Sequence, residues 1–131
     1  MPEMIFTESL AGYSMQLTLS RQSQDVLLTL TGGDVPHFGV VTAVGADGLH
    51  TIALPSRPGH VHQEGMLTET VAKLLQPSLQ GNAIITGGMH VNDISPEQMQ
   101  AAFTMTKLLG QQARDWLKAH PVAKITETFA K

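Results

Sequence analysis

The residues of this 131-residue chain with most scope for chemistry are its 6 histidines and 12 glycines. His37, His60, His62 and His90 fall in three short segments of similar make-up. The first is Thr31-Gly32-Gly33-Asp34-Val35-Pro36-His37-Phe38-Gly39. The second is Pro55-Ser56-Arg57-Pro58-Gly59-His60-Val61-His62, and the third Thr86-Gly87-Gly88-Met89-His90-Val91-Asn92. Each follows a predicted strand. Glycine pairs at such places let the backbone approach a ligand closely and turn amides outward as donors. Imidazole adds a planar donor or acceptor. Arg57 is the fixed cation of these loops, and its fork matches a phosphate. Its loop also leads toward a helix N-terminus, where unpaired amides favour an anion. Together these features describe a pocket for a planar, phosphorylated organic ligand. Its candidate lining is Gly32, Gly33, His37, Arg57, His60, His62, Gly88, His90 and Asn92.

Other readings of the same residues stand beside this one. A Gly-Gly pair after a strand is commonly only a turn, and a lone loop arginine is commonly solvated. His60 and His62 share a face if that stretch is extended. With His37 or His90 as a third ligand and Glu64 as a base, they could hold zinc in a small metal-dependent enzyme. The helical His-x-x-x-His spacing that makes zinc specific is missing. A third reading is a protein-assembly chaperone that binds no cofactor and uses the loops as an interface. Enzyme motifs otherwise fail: there is no P-loop ending, dinucleotide fingerprint or Gly-x-Ser-x-Gly elbow, and the carboxylates are scattered. None of these motifs calls for catalysis. Met15, Met66, Met89, Met99 and Met105 read as packing residues, and Phe103 and Trp116 as core or dimer-interface residues.

Composition narrows the classes. Charged residues make up 15% of the chain, against about 25% in an average soluble domain. Lys and Arg number 8 against 11 Asp and Glu, a net charge of -3. Phosphate neutralisation needs clustered cations, so nucleic acid is not the expected partner. With no cysteine, disulfides, thiolate zinc sites, iron–sulfur clusters and a Cys nucleophile are excluded. No apolar run is long enough for a transmembrane helix. Met1-Pro2-Glu3-Met4 lacks the basic stretch of a secretory signal, and the expected location is the cytoplasm. The 42% hydrophobic content suits one core, and residues 1–131 read as a single domain.

The elements that must carry the loops follow from periodicity. Residues 13–20 alternate apolar and polar, the pattern of a half-buried strand. Residues 25–31 form an apolar run suited to a central strand, and 38–46 with 49–54 a hairpin about Asp47-Gly48. These four strands read as an antiparallel meander. Thr68 is the expected cap of a helix ended by Pro77. Residues 83–86 read as a short strand closed by Gly87-Gly88. Ser95-Pro96-Glu97-Gln98 is a capping box opening a helical stretch that breaks near Thr104 and ends at His120-Pro121. The order predicts an α+β fold: a mainly antiparallel sheet of about five to six strands with two to three helices on one face.

Several of these residues also carry a resemblance. Ala11-Gly12-Tyr13, Thr31-Gly32-Gly33 with Pro36-His37 and Gly39, and Pro55-Ser56 with Gly59 and His62 come first. Thr86 with Gly88, His90-Val91-Asn92, Trp116-Leu117 and Ala119-His120-Pro121-Val122 follow in order. This set resembles the LpdD-like prenylated-flavin chaperones, small proteins associated with gallate-type decarboxylases, over residues 12–122. The resemblance implies a homodimer with a fold similar to proteasome assembly chaperones. It further implies a protein that is not itself an enzyme, one that binds reduced prenylated FMN, with the ring packed against Phe38 or Met89, and delivers it to an apo-decarboxylase of the UbiD type.

Overall fold

In the computed structural model, which describes residues 2–56 and 65–131, the alternation read at residues 13–20 becomes the second strand of a six-stranded sheet. The strands are β1 (Met4–Leu10), β2 (Tyr13–Gln22), β3 (Asp25–Gly33), β4 (Val40–Gly45), β5 (Gly48–Ala53) and β6 (Ala83–His90). Helix α1 (Gly65–Leu75) precedes β6, and α2 (Pro96–Ala119) follows it. The sheet order is β1-β2-β3-β6-β4-β5. Every neighbouring pair is antiparallel except β3 and β6, which run parallel. This is the α+β architecture expected.

Helices cover one face of the sheet, and among the described residues none covers the other. Met15, Leu17 and Leu19 of β2, Leu28 and Leu30 of β3 and Ile85 of β6 point toward the helices. There they meet Val71 and Leu75 of α1 and Met105, Leu109 and Ala113 of α2. Each fully buried Leu or Ile contributes about 1.5–3 kcal/mol. By the same alternation the opposite face carries Leu27, Ile84 and Ile52, which remain 46%, 48% and 62% exposed. Half-buried Thr18, Thr29 and Thr86 lie between them. Gly110 of α2 admits Leu74 of α1, whose Cδ1 lies 2.7 Å from where a Cβ would stand.

Six local expectations change. Strand β1 was not expected, and the four leading strands are no simple meander. Strand β6 enters between β3 and β4, so the β4–β5 hairpin joins the rest of the sheet through it. Gly87-Gly88 lie within β6, which continues to His90. Thr68 is inside α1 and buried; its hydroxyl donates to the Gly65 carbonyl (3.1 Å) and lies 2.8 Å from that of Thr42. A buried hydroxyl needs partners, and Thr68 finds them across the helix–sheet contact. Helix α2 is unbroken over 24 residues, with the Thr104 hydroxyl bonded back to the Gln100 carbonyl (3.2 Å). Its capping box forms as expected: Ser95 Oγ accepts from the Gln98 amide (3.1 Å) and the Ser95 amide donates to Gln98 Oε1 (3.0 Å). Met15 and Met105 are buried as expected of packing residues, whereas Met66 and Met99, read the same way, are exposed.

Candidate functional site

Parallel strands β3 and β6 finish at the same end of the sheet, with Gly33 opposite His90. From there residues 34–39 turn back across the uncovered face. Gly33, at φ +79°, lies so close to His90 that a Cβ would overlap the His90 carbonyl. That carbonyl accepts the Asp34 amide at 2.6 Å. Gly88 stands in the same relation to His37: a Cβ would overlap the His37 carbonyl, and the ring Cδ2 lies 2.9 Å from that position. The Gly39 amide then donates to the Gly87 carbonyl (2.9 Å), and the Leu54 amide to the Gly39 carbonyl (2.8 Å). These bonds carry the chain from β6 toward β5.

The glycine pairs therefore serve contact between parts of the chain. Gly32 accommodates Met15, whose Cγ lies 2.7 Å from where a Cβ would stand, and Gly87 accommodates the Thr68 methyl at 2.5 Å. What they build is a shelf: the His37 loop seated on Gly88 of β6, one alternation step from His90. His37 Nδ1 donates to the Val35 carbonyl (2.9 Å), which fixes the ring over the shelf. His90 Nε2 lies 3.0 Å from Asn92 Oδ1, and the Asn92 amide donates to Asp34 Oδ2 (2.8 Å). A chain of contacts thus runs from Asp34 through Asn92 to the His90 ring, linking the first and third loops. The sequence reading missed Asp34 as a member. Its signal was an aspartate directly after Gly-Gly, where a short carboxylate can accept a nearby backbone amide.

The floor beside the shelf consists of Thr31, opposite Gly88, and Thr29, opposite Thr86. The Thr86 hydroxyl donates to that of Thr29 at 3.4 Å. Phe38 is 67% exposed next to His37. Met89 takes the other side of β6 and packs against the core, so it offers no wall to the shelf. Gly32, Gly33, His37, Gly88, His90 and Asn92 are thus gathered at one end of the sheet. Arg57, His60 and His62, with Gly59 and Glu64, lie outside the described residues. The segment that holds them attaches at Ser56 and Gly65, and Leu54 is tied to the same end. Residues 31–40, 53–56 and 86–93 contain no Lys or Arg, and Asp34 and Asp93 are their fixed charges. Among the described residues no three His, Asp or Glu stand together in a way that could hold a metal ion. A cavity of about 390 Å³ lies at the far end of the uncovered face, lined by Ser20, Gln22, Asp25, Leu27, Asn82 and Ile84. It contains none of the candidate residues.

Comparison with known proteins bears on the whole of this region. A sequence profile for the family described as "Prenylated flavin chaperone LpdD-like domain" matches residues 9–118. That stretch takes in all three loops and both helices up to the last turn of α2. Protein LpdD of Lactiplantibacillus plantarum is 42% identical to the chain over 118 residues, which is 89% of this chain and 87% of that protein. The chain belongs to the prenylated flavin chaperone LpdD-like family.

Proposed function

We propose that this protein binds reduced prenylated FMN at the shelf formed by His37, Gly88 and His90 and delivers it to an apo-decarboxylase of the UbiD type. It performs no chemistry itself; it supports cofactor incorporation and oxidative maturation in the partner. Family membership supports the class of cargo. The observation that supports the place is the interlock of Gly33 with His90 and of Gly88 with His37, which brings two separate loops to one spot on an uncovered face. Flat imidazole, the exposed Phe38 ring and the threonine floor suit one side of an isoalloxazine. The described part of the shelf carries negative charge, so the phosphate calls for a cation, the part proposed for Arg57 with His60 and His62. The exposed apolar side chains of the uncovered face support a homodimer, since such surface is costly to leave in water. The protein works in the cytoplasm, where a partner that binds the cofactor more tightly draws it off.

The test is an anaerobic titration with FMN, reduced FMN and reduced prenylated FMN. Reduced prenylated FMN is expected to bind with the highest affinity and to change its absorbance on binding. Equal or absent response to all three overturns the proposal. His90→Ala is expected to weaken binding about tenfold, the effect of losing about 1.4 kcal/mol. Unchanged affinity would remove His90 from the site.

A further inference from the structure

The stretch after α2 has features that the flavin reading does not use. Residues 121–131 form no regular element, and all but Val122 are exposed. Within them Lys124-Ile125-Thr126-Glu127-Thr128-Phe129 is rich in β-branched and aromatic residues, the composition of a strand. Extended backbone sets Ile125 and Phe129 on the same side, and they are 53% and 81% exposed. This is a strand sequence without a sheet. The family match ends at residue 118, so the stretch lies beyond it.

Two anchors give the stretch a direction. Arg21 of β2 donates to the His120 carbonyl (2.5 Å) while its guanidinium lies 4.7 Å from the centre of the Trp116 ring. Two residues on, Val122 and Gln80 exchange a reciprocal pair of hydrogen bonds, each 2.9 Å. Gln80 stands just ahead of β6. In the order β1-β2-β3-β6-β4-β5, successive anchors therefore step from β2 toward the β5 edge. Beyond Val122, nine extended residues span about 30 Å, long enough for a full strand.

Among the described residues, strand β5 is an edge that pairs only with β4. Gly48-Leu49-His50-Thr51-Ile52-Ala53 contains no carboxylate, lysine, arginine or proline, and residues 50–53 are exposed. Edges that lack such guards are templates for another strand. The opposite edge, β1, is guarded by Glu8 and by the Glu3–Arg21 ion pair just ahead of it. On the uncovered face the apolar band of Leu27, Ile84 and Val41 ends at Ile52 of β5, so an added strand bearing Ile125 and Phe129 would continue it. Among its described residues, one chain thus holds both a strand sequence without an edge and an edge without a strand, and leaves both unpaired.

We infer that residues 123–131 pair with the β5 edge of a second copy of this chain, so that two copies exchange arms. The inference rests on the self-association proposed above and gives it a contact. Because the chain has no cysteine, the test is clean. A tagged chain carrying Thr128→Cys is mixed with an untagged chain carrying His50→Cys and treated with a short bismaleimide. A tagged–untagged product is expected, about tenfold reduced when Ile125→Asp and Phe129→Asp are added to the tagged chain. Sedimentation of the untreated full-length protein is measured alongside. A dimer that gives no 128–50 product, or gives it equally with Ser9→Cys on β1, overturns the arm exchange and leaves self-association standing. A monomer at all concentrations overturns both. A 128–50 product formed only within one chain bearing both cysteines assigns the arm to its own edge and overturns the exchange.

Discussion

Gly88 shows how much can depend on a missing Cβ. The His37 carbonyl occupies the space a side chain would need, so Gly88→Ala must lift the 34–39 loop from β6. The expected cost is about 1–3 kcal/mol, the usual range for overpacking, read as a lowered urea midpoint. Affinity for the reduced flavin should fall with it, because His37 moves. Gly12→Ala is the contrast: nothing lies within 4 Å of its Cβ position, and its φ of +82° is the only obstacle. That variant should lose about 1–2 kcal/mol from backbone strain and keep its flavin affinity. The histidines and glycines were legible in the sequence as a group, since three similar loops recur in one small chain. Their division of labour was not. Whether a glycine turns its amide to a ligand or clears room for another segment depends on what lies across from it, and that is a matter of tertiary contact. Met89 was misassigned for a related reason: once β6 extends to His90, alternation sends Met89 to the helix side.

Among the elements, those with local chemical signals were read correctly. The alternation of β2, the Asp47-Gly48 turn and the capping box of α2 all depend on residues a few positions apart. Ser95→Ala removes the acceptor of the Gln98 amide. It is expected to cost about 1 kcal/mol, measured by chemical denaturation, while flavin affinity stays as it was. Elements whose pattern is blurred were not read. In β1, Ile5 is exposed while Glu8 takes the helix side to accept from Gln112 (2.6 Å), so polarity does not track burial. A Thr inside a helix looked like a cap at Thr68 because its true partner, Thr42, is far away in sequence. Thr104 looked like a break, yet α2 continues because one hydroxyl bonded to the preceding turn is tolerated within a long packed helix.

At the scale of the whole molecule, a clasp joins the start of the described chain to the end of α2. Arg21 binds the Glu3 carboxylate at 2.8 and 3.1 Å, touches the His120 carbonyl, and lies over Trp116, on which His120 stacks at 4.4 Å. The hydrogen bond from Arg21, aided by its charge, holds the Glu3 carboxyl below its ordinary range. The stabilisation is therefore present above the unfolded-state pKa and is lost as pH falls through the lower folded value. The melting-temperature gap between the wild type and Glu3→Gln should be steady from about pH 5 to 7 and close below about pH 4. A gap that widens in acid would contradict the clasp. The overall class was readable from the order of elements, but the position of β6 was not, because strand order is settled by pairing between distant residues. That position has a consequence for biosynthesis. Until residues 83–90 leave the ribosome, the newborn chain holds a three-stranded piece and a separate hairpin with no ladder between them. The last strand made is the one that welds these halves, and it also brings His90 and the Gly88 seat. On the proposed reading, competence to receive a guest arrives in the same event that completes the sheet, and a half-made chain has no place to trap a flavin too soon.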